Sequence, residues 1–402
     1  MPDSNRKFLI LFALANAGGV VAYAPLLTLI FPARIWDIAG VSAIHWLGVT
    51  TFAGAISASV GNVAFGWLSD LIGARRNWVL AGLTLTIASY AFLFFAASLL
   101  AIVSAVVVYQ LSLNMMLGPM TALAADTVPD EQKGLLGGWL AAGPPIGALA
   151  GVAATSPWLD REWMQFAIVC ALVVTLVSPV LLLSRSEVPR PIAPVRRDPV
   201  QQRLGFGLLW IARLIVQVAG AVLFSFLLFY FRSIPQPVTQ SMVAIISATT
   251  LAVAFPTTIL IGRLSDRWGP RKPFLIAAVG AAAIGLLTLA TFETLAAAVL
   301  GYAIFEWSVA IFLALHTAYA MQVLPSPGRR GRDMGLLNLT NTLPSLIAPV
   351  LTVGLVPSHG FSTLFAVLAA TMAVATLCMA LIPDPGRLTD RQAAAGSATG
   401  SA

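Results

Sequence analysis

From Asn77 to Ala125 the chain runs forty-nine residues without one aspartate, glutamate, lysine or arginine. One bilayer crossing takes about 20 helical residues at 1.5 Å each. The stretch is too long for one crossing, and a break near Ser98 divides it into two. The rest of the chain has the same character. Hydrophobic residues make up 58% and charged residues 10%, where a soluble domain carries roughly 25% charged residues. Such a chain dissolves in lipid, and spans lipid as helices because only helices and closed barrels satisfy their own backbone there.

Twelve spans follow. Span one covers Phe8–Ala33, with Arg34 and Asp37 in the loop behind it. Span two covers about His45–Leu68, and spans three and four share the uncharged run up to Ala125. Span five covers about Leu135–Thr155, and Asp160, Arg161 and Glu162 separate it from span six, Trp163–Ser184. The stretch 185–204, with four prolines and five arginines, reads as a linker. Spans seven to ten cover about Gly205–Phe231, Val238–Ile261, Pro273–Phe292 and Thr294–Val323. Spans eleven and twelve lie within Met334–Ile382, split at Pro357–Gly360. The predicted fold is all-α integral membrane: a six-helix half at 1–184, the linker, a second six-helix half at 205–383, and a disordered Gly/Ala/Ser-rich tail at 384–402.

Twelve crossings put both termini on one side. Placing that side in the cytoplasm sorts 19 of the 23 lysines and arginines inside, which agrees with the positive-inside rule. Arg34, Arg161 and Arg232 fall outside, and Arg213 lies within span seven. The net charge of +7 is therefore read as topology rather than as affinity for nucleic acid. The first span reads as uncleaved, because no small-residue cleavage site follows a short apolar core. Cys170 and Cys378 sit inside apolar runs and imply no disulfide framework.

One loop occurs twice. Gly66, Leu68, Ser69, Asp70, Gly73, Arg75 and Arg76 recur as Gly262, Leu264, Ser265, Asp266, Gly269, Arg271 and Lys272, each 196 residues later. The same offset carries Pro129 onto Pro325 and Gln110 onto Glu306. The first copy has Leu71 where the second has Arg267. Gly66 and Gly262 suit a helix end packed closely on a neighbour, and Gly73 and Gly269 a tight turn. Asp70 and Asp266 are placed to accept from helix N-termini and to pair with arginine.

This loop, at spans two to three and eight to nine, resembles that of the major facilitator superfamily, whose pattern is Gly-x-Leu-x-Asp-basic-x-Gly-x-basic-basic. The second copy fits throughout; the first departs at Leu71. The resemblance covers about residues 7–383. It implies a latch between the halves at the cytoplasmic edge, carried by Asp70, Arg75, Asp266 and Arg271. It also implies that spans 1, 4, 7 and 10 line a central cavity.

Polar residues in those spans are the candidates for binding and coupling, since they are costly in lipid unless functional or paired. They are Asn16 and Tyr23; Tyr109, Gln110 and Asn114; Trp210, Arg213 and Gln217; and Tyr302, Glu306, Trp307 and His316. Arg213 lies about 12 Å from the cytoplasmic start of span seven, and Glu306 about 18 Å from the outer start of span ten. That brings them near one level. Two readings stand: Glu306 titrates with Arg213 and couples proton movement to transport, or the two form a fixed structural pair.

The resemblance implies a secondary transporter moving a small organic solute by alternating access, with a proton as the expected partner and no cofactor. The chain is expected to work as a monomer in a cell or inner membrane. Gln110 stands where proton-coupled drug exporters usually carry a membrane arginine, and Arg213 and the Asp126–Gly134 loop look like sugar-type symporters. The lean is to sugar-like uptake. Efflux stays open, because Gly143-Pro144-Pro145-Ile146-Gly147-Ala148 resembles the span-five motif of drug antiporters. A membrane enzyme or a receptor on this fold is the remote alternative. His45, His316 and His359 are far apart and form no metal or nucleophile motif.

Overall fold

The computed structural model describes residues 3–72, 74–127, 136, 139–159, 161–183, 201–268, 271–323 and 330–382. Every regular element among them is helical. In order they are α1 (Asp3–Pro25), a π-helical turn (Leu26–Ile30), α2 (Phe31–Ala39), α3 (Ala43–Ile72), α4 (Arg75–Phe95) and α5 (Leu99–Thr127). Then come α6 (Gly143–Ala154), α7 (Glu162–Leu183), α8 (Gln201–Ser233), α9 (Gln240–Trp268), α10 (Lys272–Thr291), α11 (Leu295–Val323) and α12 (Arg330–Leu381). Among the described residues, nine helical stretches are long and apolar enough to cross a membrane. Two of them, Phe8–Ser69 and Leu339–Leu381, run through a bend, and Gly143–Ala154 is a shorter apolar helix. The linker at 185–200, the Pro129 and Pro325 loops and the tail lie outside the described residues.

The break expected at Ser98 falls between Phe95 and Leu99. The turn at Pro357–Gly360 is a single residue, Gly360, at φ 76° and ψ 173° inside α12. Only glycine adopts that conformation without strain. Two expectations are corrected. Arg34 and Asp37 are not in a loop: helix continues to Ala39. A π-turn follows Pro25, in which Phe31 N–H reaches Leu26 O, and the chain goes on as helix. Span five is not continuous: Ala141 and Ala142 form a turn. Pro144 and Pro145 then sit in the first turn of α6, where a missing N–H costs nothing.

The contacts divide the chain into two compact units. The first comprises residues 1–192, 222–255 and 345–358. Within it α5 packs on α3 and α4, and α1 on α6 and α7. Small residues set these crossings. A Cβ on Gly82 would strike the Met116 backbone, and one on Gly118 would stand 3.0 Å from Asn62 O. Gly143, Gly147 and Gly151 form one stripe on α6; Cβ atoms there would come within 3.0 Å of Val20 or Leu29. Tyr90 and Tyr109 both donate to Ala22 O, at 2.5 and 2.7 Å. Arg34 donates to Leu93 O and Phe94 O at the end of α4, both at 2.8 Å, and meets Glu162 at 3.4 Å.

The second-half segments belonging to this unit are held by their own contacts. Phe229 stands edge-on to Trp36 at 5.0 Å, with Arg232 over the same indole at 5.6 Å. Tyr23 faces Phe224 at 6.1 Å, and Ser241 donates to Thr155 O.

The other unit comprises 193–221, 256–344 and 359–402. Here α10 and α11 meet backbone to backbone: a Cβ on Gly285 would lie 2.7 Å from Gly301 O, and one on Gly301 would lie 2.9 Å from Gly285 O. Lys272 donates to Ile382 O at 2.7 Å, satisfying an orphan carbonyl at the end of α12.

Candidate functional site

Trp210, Arg213 and Gln217 recur at three- and four-residue spacing and so share one face of α8. Arg213 donates through Nη1 to His316 Nδ1 on α11 and through Nη2 to Asn341 Oδ1 on α12, both at 3.2 Å. Gln217 Nε2 donates to the same Asn341 oxygen at 2.7 Å. His316 is fully buried and places its Nε2 3.1 Å from Leu209 O. Asn341 is exposed, so this cluster reaches the surface of its unit. Three membrane helices thus meet at a chain of polar groups, Leu209 O–His316–Arg213–Asn341–Gln217.

Glu306 is not in that chain. It is half-buried on α11, and among the described residues no hydrogen bond or ion pair reaches it. The depth estimate that set it beside Arg213 fails because α8 begins at Gln201 and ends at Ser233, beyond the assumed span at both ends. Counted from Ser233, Arg213 is about 30 Å down α8; counted from Leu295, His316 is about 32 Å down α11 and Glu306 only about 16 Å. Arg213 therefore levels with His316, roughly 15 Å along α11 from Glu306. Trp307 is 38% exposed, and Tyr302 is buried.

The first unit holds its own polar group. Asn114 is buried on α5; its Nδ2 donates to Gln110 O at 2.9 Å, and its Oδ1 accepts from Asn62 Nδ2 on α3 at 3.3 Å. The Gln110 side chain is 8% exposed and packs beside Gly54, and its amide meets no partner among the described residues. Asn16 is half-buried on α1 beside Gly143. Tyr109, one of the sequence candidates, is wholly buried and donates to Ala22 O of α1.

In the repeated loops, the side chains of Asp70 and Asp266, and Gly73 and Gly269 altogether, lie outside the described residues. Arg75 and Arg271 are half-buried; Arg76 and Arg267 are exposed. A Cβ on Gly66 or Gly262 meets nothing within 4 Å among the described residues, while a Cβ on Gly118 of α5 would stand 3.4 Å from the Gly66 backbone nitrogen, so Gly118 sets the approach at Gly66. His, Cys, Asp and Glu side chains form no metal-binding group among the described residues.

Asn341 escapes a sequence reading confined to spans 1, 4, 7 and 10, because it is on the helix after span ten. Its signal is present all the same, an asparagine inside the uncharged run 334–383.

Long apolar helices that carry polar clusters mark a multi-pass membrane protein. The chain belongs to the Major Facilitator Superfamily, whose family model matches residues 8–239 and 236–401. The sequence matches no curated protein. Solved structures share the fold. A bacterial homolog of the human lysosomal transporter Spinster, inward-facing and unoccupied, is 16% identical, with TM-score 0.67 over 95% of this chain and 96% of that one. The nucleoside transporter NupG, solved as a point mutant, is 13% identical, with TM-score 0.70 over 94% and 100%. The peptide transporter POT in complex with sulfate is 13% identical, with TM-score 0.72 over 94% of each chain.

Proposed function

We propose that this protein is a proton-coupled secondary transporter that takes up a small polar organic solute by alternating access. Counting Phe8–Ser69 and Leu339–Leu381 as two crossings each, and Gly143–Ala154 as the core of one more, gives twelve crossings. With both termini cytoplasmic, the halves are 1–184 and 205–383. The observation that carries the reading is the Arg213–His316–Asn341–Gln217 cluster on three apolar helices. Polar groups at membrane depth are retained where a solute or ion is handled. Gln110 and Asn16 supply neutral hydrogen-bonding groups, which suits a sugar-like solute.

Glu306 is the proposed proton carrier. A carboxyl group fixed in an ion pair would be a poor one, and Arg213 is engaged elsewhere. The repeated loops act as the cytoplasmic latch, through Asp70, Arg75, Asp266 and Arg271. The motif favouring efflux has a structural account: Gly143 and Gly147 seat α6 on α1.

The test is solute flux into proteoliposomes with and without an inward proton gradient. The wild type accumulates solute with the gradient, and Glu306→Gln loses accumulation while keeping solute exchange at equal pH. Absence of flux for every solute class sinks the transporter reading. Gradient-driven accumulation by Glu306→Gln sinks only the coupling role.

A further inference from the structure

We infer that α9, at the end carrying the second copy of the repeated loop, binds an anionic phospholipid whose phosphate rests on Arg263 and Arg267; this rests on the membrane topology proposed above. The two arginines stand four residues apart, one turn and about 6 Å along the helix axis, and so share one side of it. Both are exposed, and among the described residues no hydrogen bond or ion pair reaches either.

The side they occupy faces lipid. Ser265 lies two residues from each, about 200° around the helix, and it is fully buried. The arginines therefore point away from the protein. Leu260, three residues before Arg263 and seven before Arg267, shares their side and is 64% exposed. Trp268 ends the helix, 69% exposed, with its ring 5.9 Å from that of Phe274 on α10. An apolar surface that closes in two arginines and a tryptophan is the profile of a helix passing from acyl chains into headgroups.

Charge selects the headgroup. Lys272, close by in sequence, is turned to the protein and donates to Ile382 O at 2.7 Å. Arg263 and Arg267 are not engaged in that way. Two guanidinium forks one turn apart match the oxygens of a phosphate. The cytoplasmic leaflet is the one that carries anionic lipid. A choline headgroup brings its own cation to the pair, whereas a glycerol headgroup does not. The site belongs to the second half alone. At the corresponding positions, 196 residues earlier, stand Trp67 and Leu71, both apolar and more than 60% exposed. The repeated pattern leaves the position of Arg263 open, so the geometry of the loop does not call for an arginine there.

The test titrates purified full-length protein in neutral detergent with phosphatidylglycerol and, separately, with phosphatidylcholine of the same chains. Phosphatidylglycerol raises the melting temperature more than phosphatidylcholine does. Replacing both arginines, Arg263→Gln with Arg267→Gln, moves the phosphatidylglycerol midpoint to about tenfold or more higher concentration. Arg161→Gln removes an exposed charge on the opposite side of the membrane in the proposed topology and leaves the midpoint in place. If the double variant does not fold, each single replacement is read in its stead. Inorganic phosphate is the arm for a free anion.

Equal stabilisation by the two lipids, a midpoint unmoved by the arginine variants, or the same shift from Arg161→Gln would each overturn the inference. Stabilisation by inorganic phosphate that the arginine variants abolish would also overturn it, because the site would then take a free anion. Solute flux is a separate measurement, so each of these outcomes leaves the transporter reading standing.

Discussion

Arg34 shows what one charge does at the edge of a membrane helix. Its guanidinium caps two carbonyls at the end of α4 and leans on Glu162 in the first turn of α7. Hydrogen bonds to a charged group contribute about 1.5–3 kcal/mol each, and exposed ion pairs at most about 1 kcal/mol. Glu162 is 47% exposed, so the carbonyls dominate. Arg34→Ala should cost about 3 kcal/mol or more and Glu162→Ala at most about 1 kcal/mol, read as denaturant unfolding in detergent. Equal losses would show that the ion pair, not the cap, does the holding. The sequence presents Arg34 only as a charge after an apolar run, and such charges read as loops. Nothing local reveals that its partners lie about sixty positions on. Arg213 stood out as a candidate in the sequence, because an arginine inside an apolar span is costly unless paired or functional. Its partners did not, since a depth estimate depends on where two helices end.

At the scale of elements, glycines divide into those that set a crossing and those that do not. Gly82 and Gly285 each face a neighbour's backbone, which has no side chain to turn aside. Gly82→Ala and Gly285→Ala should each destabilise by about 1–3 kcal/mol or more. Gly66→Ala and Gly262→Ala should be neutral or gain up to about 1 kcal/mol from helix propensity. The check is the melting temperature of the four variants side by side; destabilisation by Gly66→Ala would restore the packing role its motif suggested. The motif is readable because its residue types are unusual, but what each glycine does depends on the face of the helix it occupies. The break between α4 and α5 was legible from length alone, since no helix of forty-nine residues fits a bilayer. The widened turn after Pro25 was not, because proline announces a disturbance without saying which one.

Across the whole molecule, sequence order and compact units follow different boundaries. Residues 222–255 belong with the first 192, held by Trp36 against Phe229, Tyr23 against Phe224 and Ser241 on Thr155, and residues 345–358 join them where Val353 packs on Gly48. If transport requires these contacts to separate, locking them arrests it. Cysteines at positions 155 and 241, joined by a short thiol cross-linker after Cys170 and Cys378 are replaced by serine, should lower uptake about tenfold or more. A cleavable linker should restore it. Full-rate uptake by the cross-linked protein would show that the Thr155–Ser241 contact persists through the cycle. The twofold repeat at 196 residues implies paired halves; it carries no information about which segments form each compact unit.

Ala22 lends its carbonyl to two phenols at once, Tyr90 from α4 and Tyr109 from α5. Either hydroxyl alone keeps α1 tied to a neighbour just ahead of the Pro25 turn. A lineage of such proteins can therefore lose one tyrosine to phenylalanine by drift and keep the tie. The shared acceptor is a form of redundancy: losing one phenol leaves the other donating to the same carbonyl.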